Sequence, residues 1–193
     1  FFASRVSVAA FTSMNIVVLG SVGTSTQIAN FSICDQIFKA GQSLTSPVTQ
    51  ALYPYMQRTK DWKLYFKVTL IFLLFLIVSL FVFFQFRDYF IRFIFGDELT
   101  NINQLIVIFL YIIIANFLGR NLGYPVFGCI NQLSFTHRTV QFSAIIHIFL
   151  LFLLLGFDKI EPFSLAYTML FTECLILIVR CIGIMKWRKL INY

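Results

Sequence analysis

The run FKVTLIFLLFLIVSLFVFFQF, residues 66–86, has no charged residue after Lys67. An apolar run of about 18 residues or more with few charges is typical of a membrane-spanning helix. The whole chain is 59% hydrophobic and 12% charged, whereas an ordinary soluble domain is about 45–50% apolar and about 25% charged. So few charges could not cover the surface of a soluble fold. We therefore predict an all-α integral membrane protein.

Three more runs are apolar and long enough to span a membrane, and two weaker runs contain polar and charged residues. No soluble domain fits in the short loops between them. The sequence predicts a single membrane lobe over residues 1–193, a six-transmembrane-helix bundle. Its helices are predicted at about 4–22, 28–56, 66–86, 104–125, 139–157 and 162–183.

Lys and Arg residues are distributed unequally between the two sets of loops, eight against three. Cytoplasmic loops carry the excess of Lys and Arg, so the first set and both ends of the segment are predicted to be cytoplasmic. The net charge of +7 is explained by this placement, and no nucleic-acid partner is expected. The first set is Arg58, Lys60, Lys63, Lys67, Arg138, Lys186, Arg188 and Lys189; the second is Arg87, Arg92 and Lys159.

The second predicted helix has a polar stripe. An ionisable side chain at the membrane centre costs at least ~2.5–3.5 kcal/mol, so it faces a bundle interior or a water-filled cavity. The acid and base at positions 35 and 39 can neutralise each other across one helical turn. The stripe either holds helices together or lines a substrate cavity, and Asp35, Lys39 and Gln42 are the cavity candidates. Its members are Asp35, Lys39, Gln42, Ser46, Gln50 and Tyr53.

Pro47 and Pro54 lie in the same predicted helix. Each removes a backbone N–H and clashes with the preceding turn, so each is predicted to kink or break the helix. Gly41 adds a weak point. A bent helix with a polar stripe is typical of a transporter that alternates between two open faces.

Polar groups in the other predicted spans are further candidates. Arg5 and Asn15 share a face of the first span; Arg5 either lines a cavity or flanks the membrane. Arg120, one turn after Asn116, either lines the cavity or extends to the headgroups.

Three residues of the last two spans are candidates for proton or ion coupling, or for pairing between helices. His147 either relays protons or makes an interhelical hydrogen bond. Glu173 and Arg180 are seven residues apart and share a face of the last span. Both uses of buried charge occur in helical bundles.

Two connecting segments have recognisable patterns. Residues 87–101 predict a short amphipathic helix on the membrane surface, more in keeping with an interfacial anchor than with a gate. GYPVFG, residues 123–128, is predicted to end or bend the fourth helix.

The chain has no motif typical of an enzyme, and no catalytic residue is assigned. Its four cysteines do not have the spacing of metal ligands. We expect neither a metal nor another cofactor.

The segment CDQIFKAGQSLTSPVTQALYPYMQR, residues 34–58, resembles the eighth helix of Wzx-type O-antigen and polysaccharide-repeat flippases, members of the MATE-like exporter superfamily. The most specific part is the proline-centred PVTQALYPYMQR. The resemblance implies that the chain is the C-terminal six-helix lobe of a twelve-helix protein, and its start without Met is in keeping with a fragment. The related lipid II flippases have an arginine directly after the aspartate of this helix, where this chain has Gln36.

The resemblance further implies a function. Family members move undecaprenyl-pyrophosphate-linked sugar repeats across the bacterial inner membrane, so the expected partners are the lipid-linked oligosaccharide, membrane lipids, an N-terminal lobe and polysaccharide polymerase or export proteins. Arg5 and Lys39 are then the best candidates to bind the pyrophosphate, and Arg120 a weaker one. Two alternatives stay open: a multidrug or small-molecule exporter of the same superfamily, and a membrane scaffold without transport activity.

Overall fold

The structure, a computed structural model, describes residues 13–95 and 102–188. Within these residues the chain is all-helical, as the sequence predicts. Residues 4–12, including Arg5, and the end of the segment 87–101 lie outside the described residues. The helices are α1 (Ser13–Val22), α2 (Ser25–Thr59), α3 (Trp62–Gln85), α4 (Arg87–Phe95), α5 (Asn103–Asn121), α6 (Tyr124–Cys129), α7 (Leu133–Gly156) and α8 (Pro162–Lys186).

Four helical segments are long and apolar enough to cross a membrane: α3, the continuous stretch of α5 and α6, α7 and α8. They match four of the predicted spans. Helix α7 begins at Leu133, before the predicted start at residue 139, because its first turns are polar and extend past the apolar part. A count of six spans stays a prediction, since α2 is rich in polar residues and residues 4–12 of the first predicted span lie outside the described residues.

Local sequence signals fix both ends of α2. The Thr24 hydroxyl accepts a hydrogen bond from the backbone N–H of Gln27, and the Gln27 side chain accepts one from the Thr24 N–H. This capping box satisfies two otherwise unpaired donors. The helix ends at Thr59, and Lys60 caps it in a left-handed conformation with φ of 50°. Asp61 then caps α3 by accepting from the Leu64 N–H.

Helix α2 continues through Pro47 and Pro54 without a break, and the predicted kinks stay a prediction. Both prolines lie on the exposed side of the helix, away from the buried Val48 and Leu52. Their rings therefore do not disturb the packing face. Packing of one face against other helices stabilises a helix more than its intrinsic propensity does, which explains why two prolines are tolerated.

Helix α5 lies at the centre of the bundle and packs against α2, α3 and α8, while α7 packs on the other side of α8. Its Phe109 is fully buried and meets Phe31 of α2 edge-to-face, with 5.4 Å between ring centroids. The helix ends at Asn121, and Gly123 precedes the short α6. The predicted end or bend at residues 123–128 is therefore present.

Helix α4 occupies the first part of the predicted amphipathic segment 87–101. It buries Ile91 and exposes Tyr89 and Phe93, whose rings stack at 6.2 Å. Exposed aromatic side chains on a short amphipathic helix suit the boundary between headgroups and acyl chains. The role of α4 as an anchor or a gate stays a prediction.

Candidate functional site

A polar cavity of about 330 Å³ lies where α2, α5, α6, α7 and α8 meet. Buried ionisable groups between apolar helices mark candidate functional sites, because their burial is costly. Of the residues predicted to form a site, Gln42, Arg120, Glu173 and Arg180 all reach this cavity. Its lining is Gln42, Ser46, Asn116, Gly119, Arg120, Tyr124, Val140, Glu173, Ile176 and Arg180.

Hydrogen bonds connect three of the helices across the cavity. The Gln42 side-chain amide donates to Oδ1 of Asn116 at 3.2 Å. The Asn116 amide in turn donates to Oε1 of Glu173 at 3.0 Å. The chain of donors therefore runs from α2 through α5 to a carboxylate on α8 that is 3% exposed.

Arg180 approaches the cavity from α8 and is 2% exposed. Its guanidinium donates to the backbone carbonyls of Gly119 and Thr136. Its Nε is buried and has no hydrogen-bond partner among the residues that the structure describes. Gly123 makes room for it, because a Cβ at position 123 would lie 2.5 Å from Nη1 of Arg180.

Arg120 lines the same cavity one helical turn after Asn116 and is half-buried. The ion pairs between described residues are Lys39–Asp35 and Arg87–Asp88. Neither Arg120 nor Arg180 is therefore paired with Glu173. The lining holds two guanidinium groups and one carboxylate, and the excess charge is positive.

The polar stripe predicted on α2 divides into parts with different surroundings. Gln42 and Ser46 face the cavity. Asp35 is 2% exposed and pairs with Lys39 at 2.6 Å between Oδ2 and Nζ, while the Lys39 side chain is 60% exposed. Asp35 and Lys39 are not among the residues that line this cavity. Their predicted part in substrate binding stays a prediction. Sequence spacing gives the shared face but not the neighbours that each turn meets.

A second polar face of α2 is exposed and shares Gln50 with the predicted stripe; the sequence analysis did not identify it as a face of its own. The seven-residue spacing of Gln36, Ser43, Gln50 and Gln57 was the signal that could have revealed it. All four are exposed. Their side chains therefore lie on one face that nothing in the described part of the bundle covers.

His147 joins three helices away from the cavity. Its Nδ1 lies 2.8 Å from Oγ1 of Thr172, and its Nε2 lies 3.0 Å from Oδ1 of Asn15. Thr172 donates its hydroxyl to the carbonyl of Thr168, and Oδ1 of Asn15 can only accept, so the ring tautomer decides which nitrogen of His147 donates. These contacts are of the interhelical kind; a proton-relay role stays a prediction. Asn15, predicted as a cavity residue, is buried beside His147 and does not line the cavity.

Tyr124 and Ser46 complete the cavity although the sequence analysis did not select them as candidates. Tyr124 reaches the site because the chain bends at Gly123. The sequence predicts the bend but not the direction in which it places Tyr124. Among the described residues no cluster of three or more His, Cys, Asp or Glu side chains could hold a metal ion.

Comparison of the chain with protein-family models, with curated proteins and with solved structures finds no match.

Proposed function

We propose that this chain is one membrane lobe of an exporter that moves undecaprenyl-pyrophosphate-linked polysaccharide repeats across the bacterial inner membrane. The observation that carries the proposal is the cavity with two arginines among helices long and apolar enough to span a membrane. An ordinary helix contact does not need one buried and one half-buried guanidinium group beside a carboxylate with no ion pair between them.

The chemistry of the lining suits a phosphate-bearing headgroup. Guanidinium groups bind phosphate oxygens through paired, charge-assisted hydrogen bonds. Arg180 has a buried Nε with no partner in the described part of the chain, and Arg120 is free of ion pairs there. A pyrophosphate cannot enter hydrocarbon unpaired, so a basic cavity lowers the barrier while the lipid tail stays in the bilayer.

The exposed polar face of α2 supports a second lobe. The side-chain amides of Gln36 and Gln50 on that face would be left without polar partners in lipid. A second six-helix lobe across a water-filled path would cover them and allow alternating access by rocking of the two lobes. The proposal includes six spans in this lobe, with both of its ends cytoplasmic. Polymerase or export proteins would receive the product.

A small-molecule exporter of the same superfamily is the second candidate. The buried carboxylate of Glu173 favours it, because an acidic group in a cavity attracts cationic compounds. Two arginines share the cavity with that carboxylate. The positive excess makes an anionic substrate the better match.

Neutralising the cavity arginines tests the proposal. We expect Arg120→Gln and Arg180→Gln, made in the whole protein in its source bacterium, to lower surface polysaccharide roughly tenfold to a hundredfold. That range corresponds to the loss of a charged hydrogen bond worth about 1.5–3 kcal/mol. Surface polysaccharide is measured by gel electrophoresis, and the amount of protein in the membrane by immunoblot. Lys63→Gln and Arg138→Gln are matched controls, since both residues are exposed and outside the cavity.

Three outcomes separate the candidate functions. Loss of polysaccharide at a normal protein level, in the cavity variants only, supports a flippase. Unchanged polysaccharide with altered drug tolerance points to the small-molecule exporter. If neither surface polysaccharide nor drug tolerance changes, transport through this cavity is contradicted, and the membrane scaffold is the remaining candidate.

A further inference from the structure

Glu173 is the one acidic residue among those that line the cavity. It faces charged or titratable groups from several elements. Arg120 comes from α5, Tyr124 from α6 and Arg180 from α8, while α2 contributes only the neutral Gln42 and Ser46. On α7, His137 lies behind Tyr124, with 5.7 Å between ring centroids. A proton taken up near the cavity could bind to the carboxylate of Glu173 or to the imidazole of His137, and the test below distinguishes the two.

An incoming anion changes the charge balance of this small space. With Glu173 ionised, its charge offsets that of one of the two arginines. A doubly charged phosphate group would turn the positive excess into a negative one, and two anions in one poorly solvated site repel strongly. Neutralising Glu173 removes that repulsion and leaves both guanidinium groups to the ligand.

The hydrogen bonds around Glu173 are compatible with its neutralisation. Glu173 accepts from the Asn116 amide, and no guanidinium pairs with it among the described residues. Protonation therefore does not break an ion pair. A protonated carboxyl keeps an acceptor oxygen for Asn116, so the connection to Gln42 on α2 survives.

We propose that Glu173 is an internal counter-anion that takes up one proton when an anionic group binds between Arg120 and Arg180. The inference rests on the proposed function, because it concerns the same anion site. The proton comes from a hydronium ion of the solvent, whose O–H bond breaks as the new O–H bond to a carboxylate oxygen of Glu173 forms, and neutral water is left behind. When the anion leaves, the proton returns to water.

Binding of sulfate to the purified whole protein tests this inference. Sulfate stays doubly charged across neutral pH, so any proton exchanged on binding belongs to the protein. Isothermal titration calorimetry in two buffers of different ionisation enthalpy gives the number of protons. We expect uptake of about one proton per sulfate where Glu173 is ionised, and there an affinity that falls about tenfold per pH unit as the pH rises.

Three variants assign the proton. Glu173→Gln keeps an acceptor for Asn116 and should bind sulfate without proton uptake and with little dependence on pH. His137→Gln should behave as the wild type, as should Glu161→Gln, an exposed residue at the start of the same helix. Because the proton count of the wild-type protein needs no variant, the inference is tested even if Glu173→Gln does not fold.

The results distinguish this inference from the function on which it rests. Sulfate binding without proton uptake in the wild type would overturn the inference and leave the anion site standing. Proton uptake that persists in Glu173→Gln, or that disappears in His137→Gln, would also overturn it. Absence of sulfate binding to the wild type would overturn the anion site and the inference together.

Discussion

Helix α3 and the α5–α6 stretch are both long and apolar enough to span a membrane, yet α3 lies on the outside of the bundle and α5–α6 at its centre. The most apolar window of α3 has a mean hydropathy of 2.8 and is 11% buried, whereas that of α5–α6 has 2.0 and is 61% buried. The less apolar segment is thus the central one. A span that is apolar on all sides can face lipid, whereas a span with polar residues has to turn their side away from lipid.

The two helices also satisfy their polar groups differently. On α3, the Ser79 hydroxyl donates to the carbonyl of Phe75 within the same helix. On α5, Asn116 and Asn121 bond to side chains of other helices: Asn116 to Gln42 and Glu173, and Asn121 to Thr49. Side chains that bond across helices fix the position of α5 and, with it, the shape of the cavity.

Removing an aromatic ring from each helix should give the largest difference. Phe109 of α5 is fully buried and Phe75 of α3 is 66% exposed. We expect Phe109→Ala to lower the free energy of unfolding by about 3–5 kcal/mol, because a cavity remains in a packed core. Phe75→Ala should cost less than ~1 kcal/mol. Reversible unfolding in mixed micelles measures both, and equal losses would contradict the central position of α5.

Enlarging a glycine tests the packing of α2 on α5. A Cβ at Gly41 would lie 3.0 Å from the Ile113 side chain, whereas nothing lies within 4 Å of one at Gly156. We expect Gly41→Leu to cost about 1–3 kcal/mol through overpacking. Gly156→Leu is the control and should leave stability unchanged within about 0.5 kcal/mol. Thermal denaturation in detergent compares the two; a tolerated Gly41→Leu would show that α2 can move away from α5 at little cost.

The hydrogen bond between α3 and α5 should give the smallest effect. The Tyr65 hydroxyl donates to the Asn121 carbonyl at 2.8 Å. Tyr65→Phe removes it and should cost about 0.5–1.5 kcal/mol. Tyr111→Phe, on an exposed side chain of α5, is the matched control and should have no effect. The same unfolding assay applies, and a loss above ~3 kcal/mol would mean that α3 is held far more firmly than its exposure indicates.

Much of the fold could be predicted from sequence because long apolar runs permit few structures in a membrane. The four apolar spans and the bend near Gly123 follow from composition and from glycine and proline placement. The convergence of Arg120, Glu173 and Arg180 could not be predicted in the same way. It depends on which helices are neighbours and on how each is rotated, and hydropathy determines neither.

The continuity of α2 at Pro47 and Pro54 has a related cause. Proline costs a helix one hydrogen bond locally, while the packing that outweighs this cost comes from residues on the other side of α2. The split of the predicted stripe, with Asp35 paired to Lys39 and Gln42 bonded to Asn116, likewise depends on partners distant in sequence.

The two-residue connection between α2 and α3 has a consequence for biogenesis. Helix α2 has too many polar side chains to partition readily into lipid, and α3 is the most apolar of the spans. Only Lys60 and Asp61 separate them, so α3 leaves the ribosome directly behind α2. We expect the pair to enter the bilayer as one helical hairpin, because the favourable insertion free energy of α3 offsets the cost of inserting the polar α2.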